Sequence, residues 1–364
     1  MEYRKLPHGE ERISIIGLGN SSLGAAGEKK TEKTVALALE NGINYFDMAA
    51  GDATPFAAYG RAISGCRDKV YLQVHFGADY RSGKYGWTLE LDQIKRSVAW
   101  QLKELRTDYI DFGFLHCIDE EADLETAKHQ GTVEYMLDLK RQGVIRHLGL
   151  SSHTPSVVHK VLDRKILDML MFSINPAYDY RHGEYAIGTA NERSELYRRC
   201  QAEGVGISVM KAFSAGQLLD AATSPFGRAL SEYQCIQYAL DRPGVLTVLP
   251  GVRGREDLKR ILGFFDAAKE EKDYSVLGTF TPPEAAGTCV YCNHCQPCPE
   301  GLDIGLINKY YDLAQAGDAL ARDHYAHLSR KASDCLECGH CDSRCPFHVK
   351  QTDRMRQIAS YFGQ

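Results

Sequence analysis

The sequence lacks the features of membrane and secreted proteins. No apolar run approaches the ~20 residues that a membrane-spanning helix requires, and residues 1–30 hold scattered charges without the apolar core of a secretory signal. The net charge of −5 excludes the strongly basic surface that nucleic acids and anionic membranes attract. We therefore expect a cytoplasmic protein with no nucleic-acid partner and no membrane partner.

A dinucleotide-binding fingerprint is also missing. Gly17 and Gly19 end the first apolar run without the third glycine of a GxGxxG motif, which argues against a doubly wound open sheet, although that fold remains the alternative. The 364 residues are 44% hydrophobic and 25% charged. That length and composition allow one large globular domain followed by a small one.

Cysteine, by contrast, is abundant and clustered, because eight of the twelve cysteines lie in two runs near the C-terminus. The first run is Cys289, Cys292, Cys295 and Cys298, and the second is Cys335, Cys338, Cys341 and Cys345; a proline follows each. Three thiolates spaced two residues apart let a short loop surround one [4Fe–4S] cluster, and the fourth cysteine usually ligates the other cluster. We therefore predict two [4Fe–4S] clusters, one on Cys289, Cys292, Cys295 and Cys345, the other on Cys335, Cys338, Cys341 and Cys298.

Two other uses of these cysteines remain open. Structural zinc takes four ligands, usually from two separated CxxC pairs, and disulfides suit a short secreted chain. The first run is also one residue tighter before its last cysteine than the usual bacterial run. The crossed assignment of the fourth cysteines is thus a hypothesis drawn from spacing.

Upstream of the cysteines, short apolar runs alternate with helical patterns. The predicted strands are 12–18, 44–46, 70–74, 109–115, 145–150, 167–174, 206–210 and 245–249. The predicted helices are 31–41, 89–105, 133–142, 156–164, 193–203, 231–240 and 255–265. Eight β/α units with nearly continuous apolar strands predict a parallel (β/α)8 TIM barrel, whose active site lies at the C-terminal ends of the strands.

Composition predicts a boundary after the barrel. Residues 281–287 form a linker rich in proline and alanine. We expect a barrel over residues 1–275 and a ferredoxin-like domain over 276–364. Helical patterns at 304–328 and 350–361 indicate that this second domain is helical rather than the compact, β-rich kind.

The barrel resembles the aldo-keto reductase family over nearly all of residues 1–265. The segments that carry the resemblance are Tyr3–Leu6, Ile16–Gly19, Gly42–Asp47, Leu105–Asp111, His116, Gly149–Ser152, Met210–Gly216, Pro243–Val245 and Leu249–Gly251. A barrel followed by a two-cluster module resembles the bacterial iron–sulfur branch of that family. The resemblance implies hydride transfer between NADPH and a carbonyl, with an aspartate, a tyrosine, a lysine and a histidine at strand ends.

The resemblance breaks at two of these four positions. Asp47 and His116 match the aspartate and the histidine, whereas Asp52 stands at the tyrosine position and His75 at the lysine position. One interpretation is that hydride chemistry has been lost. A second is that His75, or the tyrosine at 80 or 85, supplies the proton. A third is that Asp47, Asp52, His75 and His116 bind a single metal ion.

The cofactor pocket that the resemblance implies is half kept. Ser151 and Ser152 stand at the positions of the serine–asparagine pair that holds the nicotinamide amide, and Lys211 falls in the segment that packs on the cofactor. Arg253 falls in the loop that grips the adenosine phosphate, where a guanidinium suits phosphate oxygens. NADP(H) is therefore a possible cofactor.

Together these patterns predict an iron–sulfur oxidoreductase that resembles aldo-keto reductases. Its barrel would act on a small carbonyl-type substrate, and its clusters would exchange single electrons with a ferredoxin, a flavodoxin or a flavoprotein. The alternative is an electron-transfer or scaffold subunit whose barrel no longer transfers hydride.

Overall fold

Eight parallel strands in chain order form the central sheet of the computed structural model, which describes residues 1–280 and 287–363. The strands are β1 (Leu18–Gly19), β2 (Tyr45–Asp47), β3 (Tyr71–Phe76), β4 (Ile110–Leu115), β5 (Ile145–Ser152), β6 (Met169–Ser173), β7 (Gly206–Met210) and β8 (Val245–Val248). Two backbone hydrogen bonds of 2.9 Å, from Gly17 to Val248 and from Val248 to Ile15, connect the start of the sheet to its end. The predicted α/β class with a curled, eight-stranded parallel sheet is confirmed.

Helices cover the outside of the sheet and make up most of the C-terminal part. They are α1 (Glu28–Glu40), α2 (Thr54–Ala62), α3 (Leu91–Leu105), α4 (Glu121–His129), α5 (Thr132–Arg141), α6 (Pro155–Leu162), α7 (Pro176–Asp179), α8 (Ala190–Ala202), α9 (Glu232–Leu240), α10 (Arg255–Leu262), α11 (Lys269–Lys272), α12 (Ile304–Gln315), α13 (Ala319–Ala326), α14 (His340–Arg344) and α15 (Gln351–Phe362). None of the helices in the described part of the chain has the length and apolar character needed to cross a bilayer.

The strands are buried on both faces, as parallel strands between a packed interior and a layer of helices must be. Every residue of β4 and of β6 is buried, and five of the six residues of β3 are. The inside of the barrel is filled by side chains that include Tyr45, Phe112 and Met171. The barrel is thus a packed core whose free polar groups lie at the strand ends.

A short antiparallel hairpin, Tyr3–Lys5 with Arg12–Ser14, precedes the barrel. Its Leu6 and Ile13 pack into the same interior cluster as Tyr45 and Phe112. The predicted first strand, 12–18, was therefore wrong in its extent, because its first half belongs to this hairpin and only its end joins the barrel. An apolar run cannot reveal where a strand leaves one sheet for another.

Two further differences concern helices. α2 lies in a segment rich in alanine and glycine, for which no helix was predicted. At its Gly60 the neighbouring helix α3 comes so close that an added Cβ would lie 2.3 Å from the Glu104 carbonyl oxygen. The helical stretch predicted over 304–328 divides into α12 and α13 at Gly317, whose φ is +95°. Asp318 then caps α13 by accepting a hydrogen bond from the Leu320 amide.

The C-terminal part packs partly on the barrel and partly on itself. Val290, Phe347 and Val349 belong to the same buried cluster as the barrel helices, whereas Ile307 and Met355 belong to a separate cluster. The predicted linker, 281–287, lies outside the described residues except for Gly287.

Candidate functional site

The polar residues predicted at strand ends meet at the barrel mouth, by which we mean the C-terminal ends of the strands. Asp47 ends β2, His75 lies near the end of β3, and His116 follows β4. β2 pairs with β3, and β3 with β4, so that Asp47 lies opposite Gln73 and His75 opposite Phe114. Parallel pairing therefore brings together three side chains that are far apart in sequence.

These residues form a continuous chain of hydrogen bonds. His75 Nε2 lies 2.7 Å from Asp47 Oδ1, and His75 Nδ1 lies 2.9 Å from His116 Nδ1. His116 Nε2 in turn lies 3.1 Å from the Tyr85 hydroxyl. Gln73 supports the inner end, because its Nε2 donates to Asp47 Oδ1 at 2.9 Å. We call Asp47, His75, His116 and Tyr85 the relay.

The relay runs from the interior to the surface. His75 is fully buried, Asp47 is 3% and His116 is 7% exposed, whereas Tyr85 is 43% exposed. A molecule entering the barrel mouth would therefore meet the Tyr85 phenol first. Tyr85 comes from the small hairpin Ala78–Asp79 with Gly86–Trp87, which follows β3.

Burial sets the protonation of the outer relay. Burial first, and then the neighbouring imidazole of His75, holds the pKa of His116 well below its usual range, so that this ring is neutral at pH 7. Burial raises the pKa of Tyr85 to about 12, and the nearby Cys117 contributes to the shift. At neutral pH the relay thus ends in a protonated phenol hydrogen-bonded to a neutral imidazole.

Asp52 does not join this chain of hydrogen bonds. Its Oδ1 accepts a hydrogen bond of 2.8 Å from the Thr54 amide at the start of α2. Its carboxylate also lies beside Gly24, where an added Cβ would be 2.6 Å from both oxygens. The contacts of Asp52 thus hold the start of α2.

The residues expected to hold a nicotinamide cofactor have other partners. Ser151 is buried, and the Ser152 hydroxyl donates to Asp119 at 3.2 Å. The Lys211 ammonium lies 3.7 Å from the centre of the Tyr185 ring, and burial lowers the pKa of this lysine. Arg253 is exposed and forms an ion pair of 3.0 Å with Asp257. Of these four residues, Ser152 and Arg253 thus have hydrogen-bonding partners within the protein.

A second polar group at the barrel mouth was not predicted. The ligand atoms of Cys117, Asp119 and His153 all lie within 4.8 Å of one another. Burial, with the Asp119 carboxylate next, raises the pKa of Cys117 to about 11. The signal that could have revealed this group is that Cys117 comes shortly after β4 and His153 directly after β5.

In the C-terminal part, Cys289, Cys292, Cys295 and Cys345 are neighbours. Burial first, and then the thiols of Cys289 and Cys345, raises the pKa of Cys292 to about 12. Burial, then the thiols of the other three and that of Cys341, raises the pKa of Cys295, which shares a buried cluster with Cys341. Gln351 Nε2 lies 3.8 Å from the Cys289 sulfur. We call these four cysteines the inner set, since three of them pack against the buried core of the barrel.

The other four cysteines line a single cavity. These residues, the outer set, are Cys298, Cys335, Cys338 and Cys341. Burial raises the pKa of Cys335, and a backbone hydrogen bond opposes this shift. The thiols of Cys298 and Cys338 raise the pKa further. Cys338 is exposed and Cys341 is buried, so the outer set reaches from the core of the C-terminal part to its surface.

The spacing of the sulfurs tests which group they suit. Four thiolates at about 2.3 Å from one zinc ion would lie roughly 3.8 Å apart. Among the residues that the structure describes, Cys117, Asp119 and His153 form the group with ligand atoms within 4.8 Å, and none of the eight cysteines does so. In the described part of the chain, the eight sulfurs therefore do not have the spacing of ligands around a single zinc ion.

Comparison with known proteins identifies the class. A parallel barrel with its polar groups at the strand ends defines a (β/α)8 protein of enzyme type. The sequence profile of the Aldo/keto reductase family matches residues 15–229, more than half of the chain. The chain belongs to this family of oxidoreductases, as predicted.

Related proteins match only part of their own length. An uncharacterized oxidoreductase of Bacillus subtilis is 34% identical over 196 residues, which are 51% of this chain and 60% of the relative. The L-galactose dehydrogenase of Arabidopsis thaliana is 28% identical over 176 residues, 45% of this chain and 52% of the relative. The chain thus spans about half to 60% of these relatives.

Solved structures agree on the fold. An aldo-keto reductase from Bacillus halodurans in its holo form has a TM-score of 0.59 and 25% identity, and covers 75% of this chain and 94% of its own. An aldo/keto reductase from Klebsiella pneumoniae in complex with NADP and acetate has a TM-score of 0.55 at 21% identity, with coverage of 78% and 96%. At such identity the second likeness concerns the fold alone.

Proposed function

We propose that this protein is an iron–sulfur oxidoreductase of aldo-keto reductase type, with a barrel over residues 1–275 and a ferredoxin-like domain over 276–364. It acts on a small carbonyl-type substrate at the barrel mouth, and two [4Fe–4S] clusters, when bound, supply or remove single electrons. The division of eight cysteines into an inner and an outer set of four carries the proposal. Cys289, Cys292, Cys295 and Cys345 hold one cluster, and Cys298, Cys335, Cys338 and Cys341 hold the other.

The relay supports the barrel's part in this function. The Tyr85 phenol is the exposed end of the relay and carries a proton at neutral pH. We assign it the role of proton donor to the substrate oxygen, in place of the tyrosine that is absent at position 52. His116 shares a hydrogen bond with that phenol through Nε2. On its other side, His116 is held by a hydrogen bond with His75, which in turn bonds to Asp47. Positioned proton transfer of this kind contributes about 10²- to 10⁴-fold to a rate.

The nicotinamide cofactor fits less well. Relatives of this fold include a structure in complex with NADP. Here, however, Ser152 is bonded to Asp119, and Arg253 is paired with Asp257. The proposed chemistry therefore does not depend on NADP(H), and reducing equivalents enter as single electrons.

An electron partner would meet the outer set. Cys338 is exposed, whereas the inner set lies against the barrel. A ferredoxin, a flavodoxin or a flavoprotein docking near Cys338 would face the outer set first. The inner set would then lie between that partner and the barrel.

The first experiment is anaerobic purification with iron and sulfide analysis. We expect about eight irons and eight sulfides per chain, the content of two [4Fe–4S] clusters. Cys66→Ser is the matched control, because Cys66 lies outside both sets. An iron content near zero in the native protein would end the proposal.

Double variants test which cysteines share a cluster. Cys289→Ser with Cys345→Ser removes two ligands of the inner set, so about four irons should remain. Cys289→Ser with Cys298→Ser removes one ligand from each set, so both clusters should be damaged. The reverse pattern would mean that each sequence run holds its own cluster, and the crossed assignment would be wrong.

A reductive titration then tests the electron source. We expect dithionite, but not NADPH alone, to bleach the visible cluster absorbance of the native protein. Bleaching by NADPH would show that the barrel binds the dinucleotide and couples it to the clusters, and the one-electron proposal would have to be withdrawn.

A further inference from the structure

We propose that Cys117, Asp119 and His153 form a binding site for a divalent cation of the zinc type at the barrel mouth, separate from the eight cysteines of the inner and outer sets. No described contact connects this group to those sets. The proposal rests on the geometry of three side chains and on the chemistry of their ligand atoms.

The three ligand atoms converge on one side of the Asp119 carboxylate. Asp119 Oδ2 lies 2.9 Å from His153 Nδ1 and 3.8 Å from the Cys117 sulfur. The other oxygen, Oδ1, accepts hydrogen bonds from the Ser152 hydroxyl at 3.2 Å and from the His153 amide at 2.6 Å. These bonds fix the orientation of the carboxylate, as partners behind a metal ligand do.

The His153 ring is the second observation. It is 4% exposed, and its Nε2 has no hydrogen-bond partner within the described ranges 1–280 and 287–363. A buried polar group without a partner costs about 1–3 kcal/mol. The ring lies against Tyr185, with centroids 4.4 Å and planes 31° apart. The ring nitrogen that faces Asp119, and that would bind the cation, is Nδ1, whereas Nε2 lies on the other side of the ring.

The ligand types select the cation. A thiolate, an imidazole and a carboxylate are the three classes of side chain that bind Zn²⁺, whereas Mg²⁺ and Ca²⁺ prefer oxygen ligands alone. Three protein ligands leave a fourth tetrahedral position open, which is the arrangement of catalytic rather than structural zinc. Binding would deprotonate the Cys117 thiol and release its proton.

The surroundings place this site beside the relay. Cys117 follows His116, whose Nε2 lies 3.1 Å from the Tyr85 hydroxyl. A cation here would polarise a carbonyl oxygen at the mouth while Tyr85 donates the proton; this role, unlike the binding, rests on the proposed function. Lys211 opposes cation binding, because its ammonium lies over the Tyr185 ring that stacks on His153.

The test begins with the cluster-containing protein, from which a weak chelator has removed loosely bound metal. This protein is titrated with Zn²⁺ and, separately, with Co²⁺. We expect one Zn²⁺ per chain that competes with a chromophoric chelator, and a Co²⁺ spectrum with a thiolate charge-transfer band. Cys117→Ser should weaken binding by at least ~10-fold and abolish that band. Lys211→Met should tighten binding by roughly tenfold, because a nearby positive charge is removed.

Controls keep the result interpretable. Cys66→Ser should bind like the native protein, and Cys117→Gly serves if the serine variant misfolds, since Cys117 has a φ of +53° that glycine adopts freely. Equal binding by native protein and both Cys117 variants would overturn the inference. If the native protein contains no iron but still binds zinc in a way that depends on Cys117, the proposed clusters are refuted and the cation site is supported.

Discussion

At the scale of single residues, Asp52 and His75 stand where the family's tyrosine and lysine would, so the proton route that we propose differs from the family's. The carboxylate at position 52 accepts a hydrogen bond from the first residue of α2, and the phenol at the barrel mouth instead comes from the hairpin that carries Tyr85. His75, at the lysine position, lies between Asp47 and His116 and is fully buried. Hydrogen bonds from an imidazole to Asp47 and His116 thus take the place of the ammonium that a lysine would have brought.

Tyr85→Phe removes the phenolic proton but keeps the ring. We expect turnover of small aldehydes with reduced clusters to fall about 100-fold or more, because general acid catalysis is lost. The KM should change little, and an alkaline limb of the native pH profile, set by a phenol with a pKa of about 12, should disappear. Tyr135→Phe, on the outer layer of the barrel, is the control. Unchanged turnover in Tyr85→Phe would exclude the phenol as the donor.

At the opposite end of the barrel, His147 makes stability depend on pH. Burial lowers the pKa of His147, but hydrogen bonds to Asp168 and Glu11 outweigh burial and raise it above 6.5. A raised pKa means that stability is fully present below pH 6.5 and is lost as the pH rises through the folded-state value. The free-energy advantage over His147→Asn in urea unfolding should be about 1 kcal/mol or less and should shrink with rising pH. An advantage that grows with pH would contradict this account.

At the scale of elements, short helices position the strand ends. Asp179, at the end of α7, accepts hydrogen bonds from Arg193 at 2.8 Å, from Tyr197 at 2.6 Å and from Tyr238 at 2.8 Å. These partners come from α8 and α9, and Arg193 is fully buried. One carboxylate therefore connects three helices beside the C-terminal end of β6. The capping boxes of α8 and α9 begin those helices independently, at Thr189 and Ser231.

Asp179→Asn leaves the Arg193 guanidinium buried without its counter-charge. We expect a loss of about 3–5 kcal/mol in the free energy of unfolding, the usual effect of removing one partner of a buried ion pair. Urea unfolding measures the loss. Glu256→Gln, which breaks an exposed pair of 3.0 Å with Lys259, should cost less than about 0.5 kcal/mol. Similar losses in the two variants would show that burial does not decide the effect.

At the scale of the whole molecule, the barrel and the cysteine-bearing part are tightly joined. The buried Arg242 guanidinium, on the barrel side, donates to the Val290 carbonyl at 2.8 Å and to the Tyr274 hydroxyl at 3.1 Å. Val290 lies between Cys289 and Cys292 of the inner set. A substitution that disturbs packing at this junction should therefore displace the cysteines of the inner set.

Gly278→Ala tests that junction. An added Cβ would lie 2.1 Å from Pro346, the residue after Cys345, and neither backbone can move freely there. We expect a loss of about 1–3 kcal/mol, seen as a lower thermal midpoint, together with faster loss of iron from the inner set. Gly65→Ala, where a Cβ meets no atom within 4 Å, is the control. A stable Gly278→Ala variant with native iron retention would mean that the junction tolerates displacement.

Much of this protein could be predicted from sequence because the relevant patterns are local. Continuous apolar runs marked the strands, and all five residues of β7 were predicted correctly, since burial on both faces leaves a signature within a few residues. The polar residues at strand ends were visible for the same reason. The family resemblance to aldo-keto reductases also depended on short segments in a fixed order.

The tertiary structure alone decided which of these residues meet. Tyr85 reaches His116, and Asp119 reaches His153 34 residues away, because loops after neighbouring strands converge at the barrel mouth. The sequence could not separate the hairpin strand Arg12–Ser14 from β1 or show that Asp52 bonds to the Thr54 amide, since both depend on where the chain turns in space. Local patterns encode which segments are buried, whereas contacts between distant side chains arise only when strand pairing sets their register.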